Sequence, residues 1–304
     1  MNISVVMVVK NEEKVIRDSI SIALKFADEI IVVDTGSHDN TKDILLNEFG
    51  IKAKDFIPPT IDKFSIVEAR NFGLTLASSD WIMILDADEF VDKKSIDFLK
   101  KIPNEQEVDS FFGNWHNFDN EECFWDYKLF LFKRSIDLKY LGKCHSVPQS
   151  WLRQNFKTGK FLKELTVVHK KDETKTHRFN YFTQMKEGIK ESPDWFRYYW
   201  FLGYSLTKID KTEGIKYLTL AADSYSEIFP VECLNANLYL IEILLLNSKT
   251  TEANSRFKTS FMFWEKMQND FEVIINPYTE WFRELDVKIK NSGKSNFKLR
   301  KFGY

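Results

Sequence analysis

Two aspartates one residue apart, Asp86 and Asp88, follow the apolar run Trp81-Ile82-Met83-Ile84-Leu85. Carboxylates so spaced, just past a buried strand, can hold a divalent cation, and hard oxygen ligands select magnesium or manganese over softer metals. A cation held there would neutralise the charge of a departing diphosphate. A solvated turn uses the same residue types. Two other strand-like runs end in a similar way, however. Residues 3–9 are followed by Lys10-Asn11-Glu12-Glu13, and residues 29–33 by Asp34-Thr35-Gly36-Ser37. Ligands of a parallel α/β sheet bind beyond the carboxyl ends of its strands, so three such ends would aim carboxylates and small polar groups at one crevice.

Asp34, as an ionised pure acceptor, can take hydrogen bonds from a base or a ribose, and Gly36 lets the chain turn closely past a ligand. Capping a helix is the other use for Asp34, but Asp39 and Thr41 fill it more naturally. Arg70-Asn71 lies on a helix opening at Ser65. Arg70 can reach phosphate oxygens or steady Asp88, and an ion pair with Glu68 or Asp80 is the structural alternative. A nicotinamide dinucleotide fold needs a glycine-rich turn after its first strand. Lys10-Asn11-Glu12-Glu13 offers charge and no glycine there, which excludes that reading.

The elements that must position these groups alternate up to about residue 170. Runs at 3–9, 29–33, 53–57 and 81–85 read as buried strands, with helices between them over 15–24, 41–49 and 65–76. Strands separated by helices predict a mostly parallel sheet. Apolar runs at 108–112, 129–132 and 165–168 fit added strands of mixed direction. From about residue 178 the strands stop, and helices are expected over 182–189, 195–208, 212–225, 231–246 and 251–267. Tyr199, Leu202, Gly203 and Ala222 partly follow tetratricopeptide spacing, whose period is about 34 residues. The expected division is a catalytic α/β domain over 1–175, a helical-hairpin domain over 176–290, and a basic tail over 291–304. That second domain would bind an acceptor or form a homodimer. The tail reads as solvated, with peripheral contact to an anionic membrane surface as the alternative.

Of 304 residues, 43% are hydrophobic and 29% charged, which is globular composition, and the net charge of −2 gives no field that would draw the chain to nucleic acid. Cys123, Cys144 and Cys233 stand far apart without CxxC pairing, as reduced thiols do. The chain enters a strand-like run at once with no basic leader, and its longest apolar stretch is interrupted by Glu242. A cytoplasmic location is the expectation.

Four ordered motifs resemble family 2 glycosyltransferases of the GT-A fold: Val8-Val9-Lys10-Asn11-Glu12-Glu13, the segment from Asp28 through Asp34-Thr35-Gly36-Ser37 to Thr41, Ala69-Arg70-Asn71, and Trp81 through Asp86-Ala87-Asp88-Glu89. The resemblance implies a Rossmann-like, mixed and mostly parallel GT-A domain that moves a sugar from a nucleotide diphosphate donor, most often a UDP-sugar, with inversion. On it, Asp34 contacts the nucleobase, Asp86 the ribose, and Asp88 a Mn2+ or Mg2+ beside the diphosphate. Val9, Asn11, Glu12, Gly36, Arg70, Asn71 and Ala87 complete the donor site. His169, ending a late strand, is similar to a histidine that completes the metal site in GT-A enzymes; a structural role is the alternative. Gly142-Lys143-Cys144-His145 is similar to a segment that in relatives ends His-Glu, and here Ser146 replaces the Glu. The acceptor base therefore stays open among Glu89, Asp119, Asp126 and His145. Relatives with tetratricopeptide-like helices glycosylate cysteine or serine of small peptides, while others act on cell-envelope glycans, so the acceptor is expected to be a peptide or a glycan. A nucleotide-sugar-binding adaptor that no longer turns over is the competing reading.

Overall fold

Seven consecutive residues without a side chain larger than methionine, five of them valine or isoleucine, make β1 (Ile3–Val9), buried almost throughout. The computed structural model describes residues 2–57, 65–101, 108–119, 122–134, 139–146, 159–170, 181–275, 278–291 and 298–302. They fall into two compact units that meet in sequence between His177 and Arg178.

In the first unit β1 leads to α1 (Ile16–Ala23), β2 (Glu29–Asp34), α2 (Thr41–Phe49), β3 (Lys54–Asp55), α3 (Ile66–Leu76) and β4 (Trp81–Ile84). Then come β5 (Glu89–Val91), α4 (Lys93–Leu99), β6 (Ser110–Asp119), β7 (Glu122–Lys133) and β8 (Gly159–Lys170). One eight-stranded sheet runs in the order β3-β2-β1-β4-β7-β6-β8-β5. The pairs β1–β2, β1–β4, β2–β3 and β6–β8 are parallel, while β7 is antiparallel to β4 and β6, and β5 to β8. This is the expected mixed, mostly parallel GT-A arrangement. Its strand directions bring the carboxyl ends of β1, β2, β4, β6 and β8 to one edge. There β5 starts, because it runs the opposite way.

Local chemistry sets the helix starts. Ser65 Oγ accepts from Glu68 N–H at 3.2 Å to open α3, and Asp92 Oδ1 accepts from Ser95 N–H at 2.7 Å to open α4. The expected third strand shrinks to two exposed residues at the sheet edge. β5 and α4 were not expected: a three-residue strand has no periodicity of its own, and its pairing with β8 creates it.

The second unit contains α5 (Tyr181–Glu191), α6 (Phe196–Leu206), α7 (Lys211–Asp223), α8 (Pro230–Leu246), α9 (Thr250–Ile275) and α10 (Tyr278–Lys290). Successive helices pack on one another, and α8, buried on nearly every side, also meets α6 and α10. A Cβ on Gly203 would come within 2.7 Å of Leu218 N, and one on Gly214 within 2.5 Å of Thr207 N, so α6 and α7 approach closely only because both positions are glycine. Glu232 of α8 pairs with Arg197 of α6. Glu242 accepts from Trp281 Nε1 at 3.1 Å and from the Arg300 backbone N–H at 2.8 Å.

The described part of the C-terminal tail is only partly in solvent: Lys298 and Lys301 are exposed, while Leu299, Arg300 and Phe302 are half-buried. Arg300 lies 4.4 Å over the Trp281 ring, the Phe302 ring meets Trp200 edge-on at 5.0 Å, and Phe302 N–H donates to Tyr204 Oη at 2.8 Å. An aromatic side chain among the basic ones supplies the apolar area that holds it. Lys294 lies outside the described residues. Among the described residues no helix is long and apolar enough to cross a membrane.

Candidate active site

The ends of β1 and β2 are tied together by short polar side chains. Val9 is buried and its carbonyl accepts from both Thr35 N–H (3.0 Å) and Thr35 Oγ1 (3.1 Å). Asn11, turned into the left-handed region at φ 56°, donates its N–H to Ser37 Oγ at 2.9 Å, and its Oδ1 accepts from His38 N–H at 2.8 Å. Asn is among the few non-glycine residues that tolerate this backbone. Glu12 N–H donates to Thr41 Oγ1 at 2.7 Å. Between these anchors Gly36 turns at φ 100°, a conformation a side chain would strain.

Asp34 sits at the floor of this turn with 0% exposure. Its Oδ1 accepts from Gly36 N–H at 2.8 Å and Ser37 N–H at 2.9 Å. Its Oδ2 is buried with no hydrogen-bond partner among the described residues. A buried carboxylate oxygen left unmatched costs free energy on the order of 1–3 kcal/mol or more, and such atoms call for an explanation.

Asp86 lies past β4, in a chain of alternating charge. Arg70 Nη2 donates to Asp86 Oδ1 at 3.0 Å, Lys128 Nζ is 3.8 Å from Asp86 Oδ2, and Lys128 Nζ donates to Glu89 Oε1 at 2.5 Å. Burial works against the charge on Asp86, but the Arg70 and Lys128 cations outweigh it and hold the carboxyl well below its ordinary range. Arg70 thus serves Asp86, not Asp88, Glu68 or Asp80. Its Nε is buried without a partner among the described residues. Asn71 exchanges two hydrogen bonds with the Tyr140 backbone, at 2.7 and 3.1 Å, pinning α3 to the segment 139–146. Ala87 is buried between the two aspartates.

Glu89 is 2% exposed, and both of its oxygens are engaged. Oε1 accepts from Trp115 Nε1 (2.8 Å) as well as Lys128, and Oε2 accepts from Asp86 N–H at 3.0 Å. That network holds the turn carrying the aspartates. Asp88 meets His169, whose Nε2 stands 3.3 Å from Asp88 Oδ2, while Lys170 N–H donates to Asp88 O at 3.0 Å. Burial alone would lower the His169 imidazole; the hydrogen bond to Asp88 and the charges of Asp88, Glu89 and Asp86 carry it above its ordinary value.

Glu89 and His169 come together with Asp86 and Asp88, and Asp34 lies at a neighbouring strand end. His145 lies on the segment 139–146, at φ 46°. Ser146 beside it is buried, with Oγ unpartnered among the described residues. The side chains of Asp119 and Asp126 lie outside the described residues. Sequence reasoning missed Lys128, Trp115 and Asn117. For Lys128 a signal existed, a cation opening the apolar run 129–132; the other two alternate on β6 with no cue to their partners.

The donor set for a metal is small. Among the described residues no group of three or more His, Cys, Asp or Glu side chains converges on one point. Asp88 and His169 could supply one carboxylate oxygen and one imidazole nitrogen to a divalent cation whose shell phosphate oxygens would complete.

Among known proteins, the chain is similar to glycosyltransferase GlyG of Streptococcus pneumoniae, at 29% identity over 123 residues covering 40% of this chain and 41% of GlyG. Glycosyltransferase SunS of Bacillus phage SPbeta is similar over more of the chain, at 26% identity across 95% of it and 68% of SunS. Among solved structures, Staphylococcus aureus TarS 1–349 in complex with UDP-GlcNAc superposes with a TM-score of 0.47 at 14% identity, covering 99% of this chain and 97% of that one. Residues 4–182, more than half of the chain and all of the span from Ser4 in β1 through β8, match Glycosyl transferase family 2, and the chain belongs to that family.

Proposed function

We propose that this glycosyltransferase takes a sugar from a UDP-sugar and transfers it, with inversion and with Mn2+ or Mg2+, to a peptide or cell-envelope glycan acceptor. The observation that carries the reading is the unmatched, buried Oδ2 of Asp34, at the same sheet edge as the Asp86–Asp88–His169 constellation. A nucleobase imide N–H is a donor of the kind that oxygen lacks.

Gly36 and Asn11 would keep the turn open for the base and ribose, with Val9 and Glu12 forming the wall beneath. Arg70 and Lys128 hold Asp86 ionised, ready to accept from a ribose hydroxyl, and Asn71 keeps Arg70's helix in place. Asp88 and His169 would hold the cation, which supplies charge neutralisation for the departing diphosphate. Transfer is a direct displacement: the acceptor's oxygen or sulfur bonds the anomeric carbon as the bond to the diphosphate oxygen breaks. The acceptor proton needs a base. Glu89 serves better as the group that organises the aspartate turn, because both of its oxygens are already engaged, which leaves the base open among His145, Asp119 and Asp126. The helical unit is proposed to bind the acceptor or to pair two copies of the chain.

The test is release of nucleoside diphosphate from a panel of nucleotide sugars with Mn2+ or Mg2+. Turnover of a UDP-sugar, abolished by EDTA and lowered at least ~100-fold by Asp88→Ala, is expected for a metal-supported leaving group. Undiminished turnover in EDTA would remove the metal from the reading, and absence of binding by any nucleotide sugar would overturn it.

A further inference from the structure

Asn117 has no part in the donor site described above, yet it faces the one histidine in that site. Asn117, His169 and Glu89 are paired neighbours in a single row across β6, β8 and β5. Asn117 is 1% exposed, and its Oδ1 stands 2.7 Å from His169 Nδ1. An amide oxygen only accepts, so the contact attracts only when Nδ1 carries a proton. In the neutral ring this leaves Nε2 as a bare lone pair, 3.3 Å from Asp88 Oδ2. The ring plane is fixed as well: Trp115, two residues before Asn117 and on the same face of β6, stacks on His169 at 5.2 Å with 23° between planes. In the protonated ring Nε2–H donates to that oxygen; in the neutral Nδ1–H ring two acceptor atoms face each other, and a divalent cation can take the place of the proton between them.

We propose that Asn117 is a positioning residue that fixes His169 as the Nδ1–H tautomer and so makes His169 and Asp88 a preformed divalent-cation pair. The proposal rests on the metal reading above and adds the group that sets the tautomer. Outer partners of this kind commonly govern metal affinity about 10–100-fold.

Two readouts test it. Long-range proton–nitrogen correlation spectra of the histidine rings, taken without metal at a pH where the ring is neutral, report the tautomer; loss of signals in His169→Gln assigns them. Electron paramagnetic resonance titration with Mn2+ in the presence of UDP reports affinity. The expected result is an Nδ1–H ring in the unaltered protein. Asn117→Leu, similar in size, should shift the ring toward Nε2–H and weaken Mn2+ about 10–100-fold. Asn117→Asp keeps an acceptor and should keep both properties; Asn117→Ser, too short to reach, replaces the leucine variant if that one does not fold. An Nε2–H ring in the unaltered protein, meaning an amide turned to donate, overturns the proposal. So does an unchanged tautomer in Asn117→Leu. Mn2+ affinity indifferent to both Asp88→Ala and His169→Gln would sink the metal reading and the cation pair with it, whereas the metal-free spectrum would still decide the role of Asn117.

Discussion

Replacing Arg70 by methionine keeps most of the side chain's packing and removes the cation that faces Asp86. The two side chains are 16% and 36% exposed and meet at 3.0 Å, so the pair is only partly desolvated. At an effective dielectric of about 20 their attraction is about 5.5 kcal/mol. Burying the guanidinium offsets roughly half of that, and Lys128 remains 3.8 Å from Asp86 in the variant. A net loss of about 2–3 kcal/mol follows, below the cost of breaking a fully buried pair. The assay is a double-mutant cycle with Asp86→Asn, read by hydrogen exchange in urea on peptides from α3 and β4, which isolates the α/β unit from the helical one. A coupling of about 2 kcal/mol between the two sites is expected, and additivity within about 0.5 kcal/mol would refute the reasoning. The sign with pH gives a second check. Asp86 is held below its ordinary value of 3.8, so its contribution is present above that pH and is lost as pH falls toward the folded value. The deficit of Arg70→Met should therefore shrink below about pH 4. A deficit constant from neutral to acid would place the cost elsewhere, for example in the Arg70–Tyr140 contact at 5.5 Å.

Asp34→Asn keeps an acceptor for Gly36 and Ser37 but loses the charge on Oδ2, so the fold should survive while donor binding weakens. A hydrogen bond to a charged group contributes about 1.5–3 kcal/mol, which predicts a roughly 10–100-fold rise in the UDP dissociation constant by calorimetry. Unchanged affinity would remove Asp34 from the base site. In the helical unit, burial pushes the Glu242 carboxyl up against the pull of the Arg300 N–H, Lys288 and Trp281. A raised folded value gives a stability contribution that is full below the unfolded value and lost as pH rises through the folded one. Glu242→Gln should therefore gain relative stability between pH 4 and pH 8, and chemical unfolding of the helical unit at the two ends of that range measures it. A relative loss would show that the charge itself holds the tail residues Arg300 to Phe302 in place.

The sequence made β1, β2 and β4 legible for a simple reason. Strands buried on both faces must be continuously apolar, and the polar residues that end them mark where the sheet stops. The same logic located Asp34, Asp86 and Asp88, because Asp34 and Asp86 are the first carboxylates after such runs and Asp88 follows Asp86 by two residues. What stayed hidden depends on pairing between distant segments. β5 exists because Glu89, Phe90 and Val91 align with His169, Val168 and Val167, and nothing in the short run by itself distinguishes it from a loop. Arg70 was matched to the wrong carboxylates for a related reason: helical phase gives the direction of a side chain, but the placement of α3 on the sheet decides which acid it meets. The tail shows the opposite error. Its run of lysines argued for solvent, while a single phenylalanine at its end decided the matter by packing among Trp200, Tyr204, Tyr239 and Trp281. α10 was legible in principle, since Trp281, Phe282 and Leu285 lie at helical spacing and are buried together.

The charges at the sheet edge bear on how a donor could enter. Asp34, Asp86, Asp88 and Glu89 are four carboxylates, and Arg70 and Lys128 are the permanent cations paired with them among the described residues. The excess is two negative charges in a partly desolvated crevice, where a diphosphate would bring more of the same sign. Like charges so placed repel strongly unless something intervenes. One divalent cation matches that excess, and Asp88, which has no Lys or Arg ion-pair partner among the described residues, faces His169. On the proposed function, then, affinity for UDP should depend on the cation while affinity for uridine should not, because the nucleoside meets Asp34 without bringing phosphate to the acidic end of the crevice.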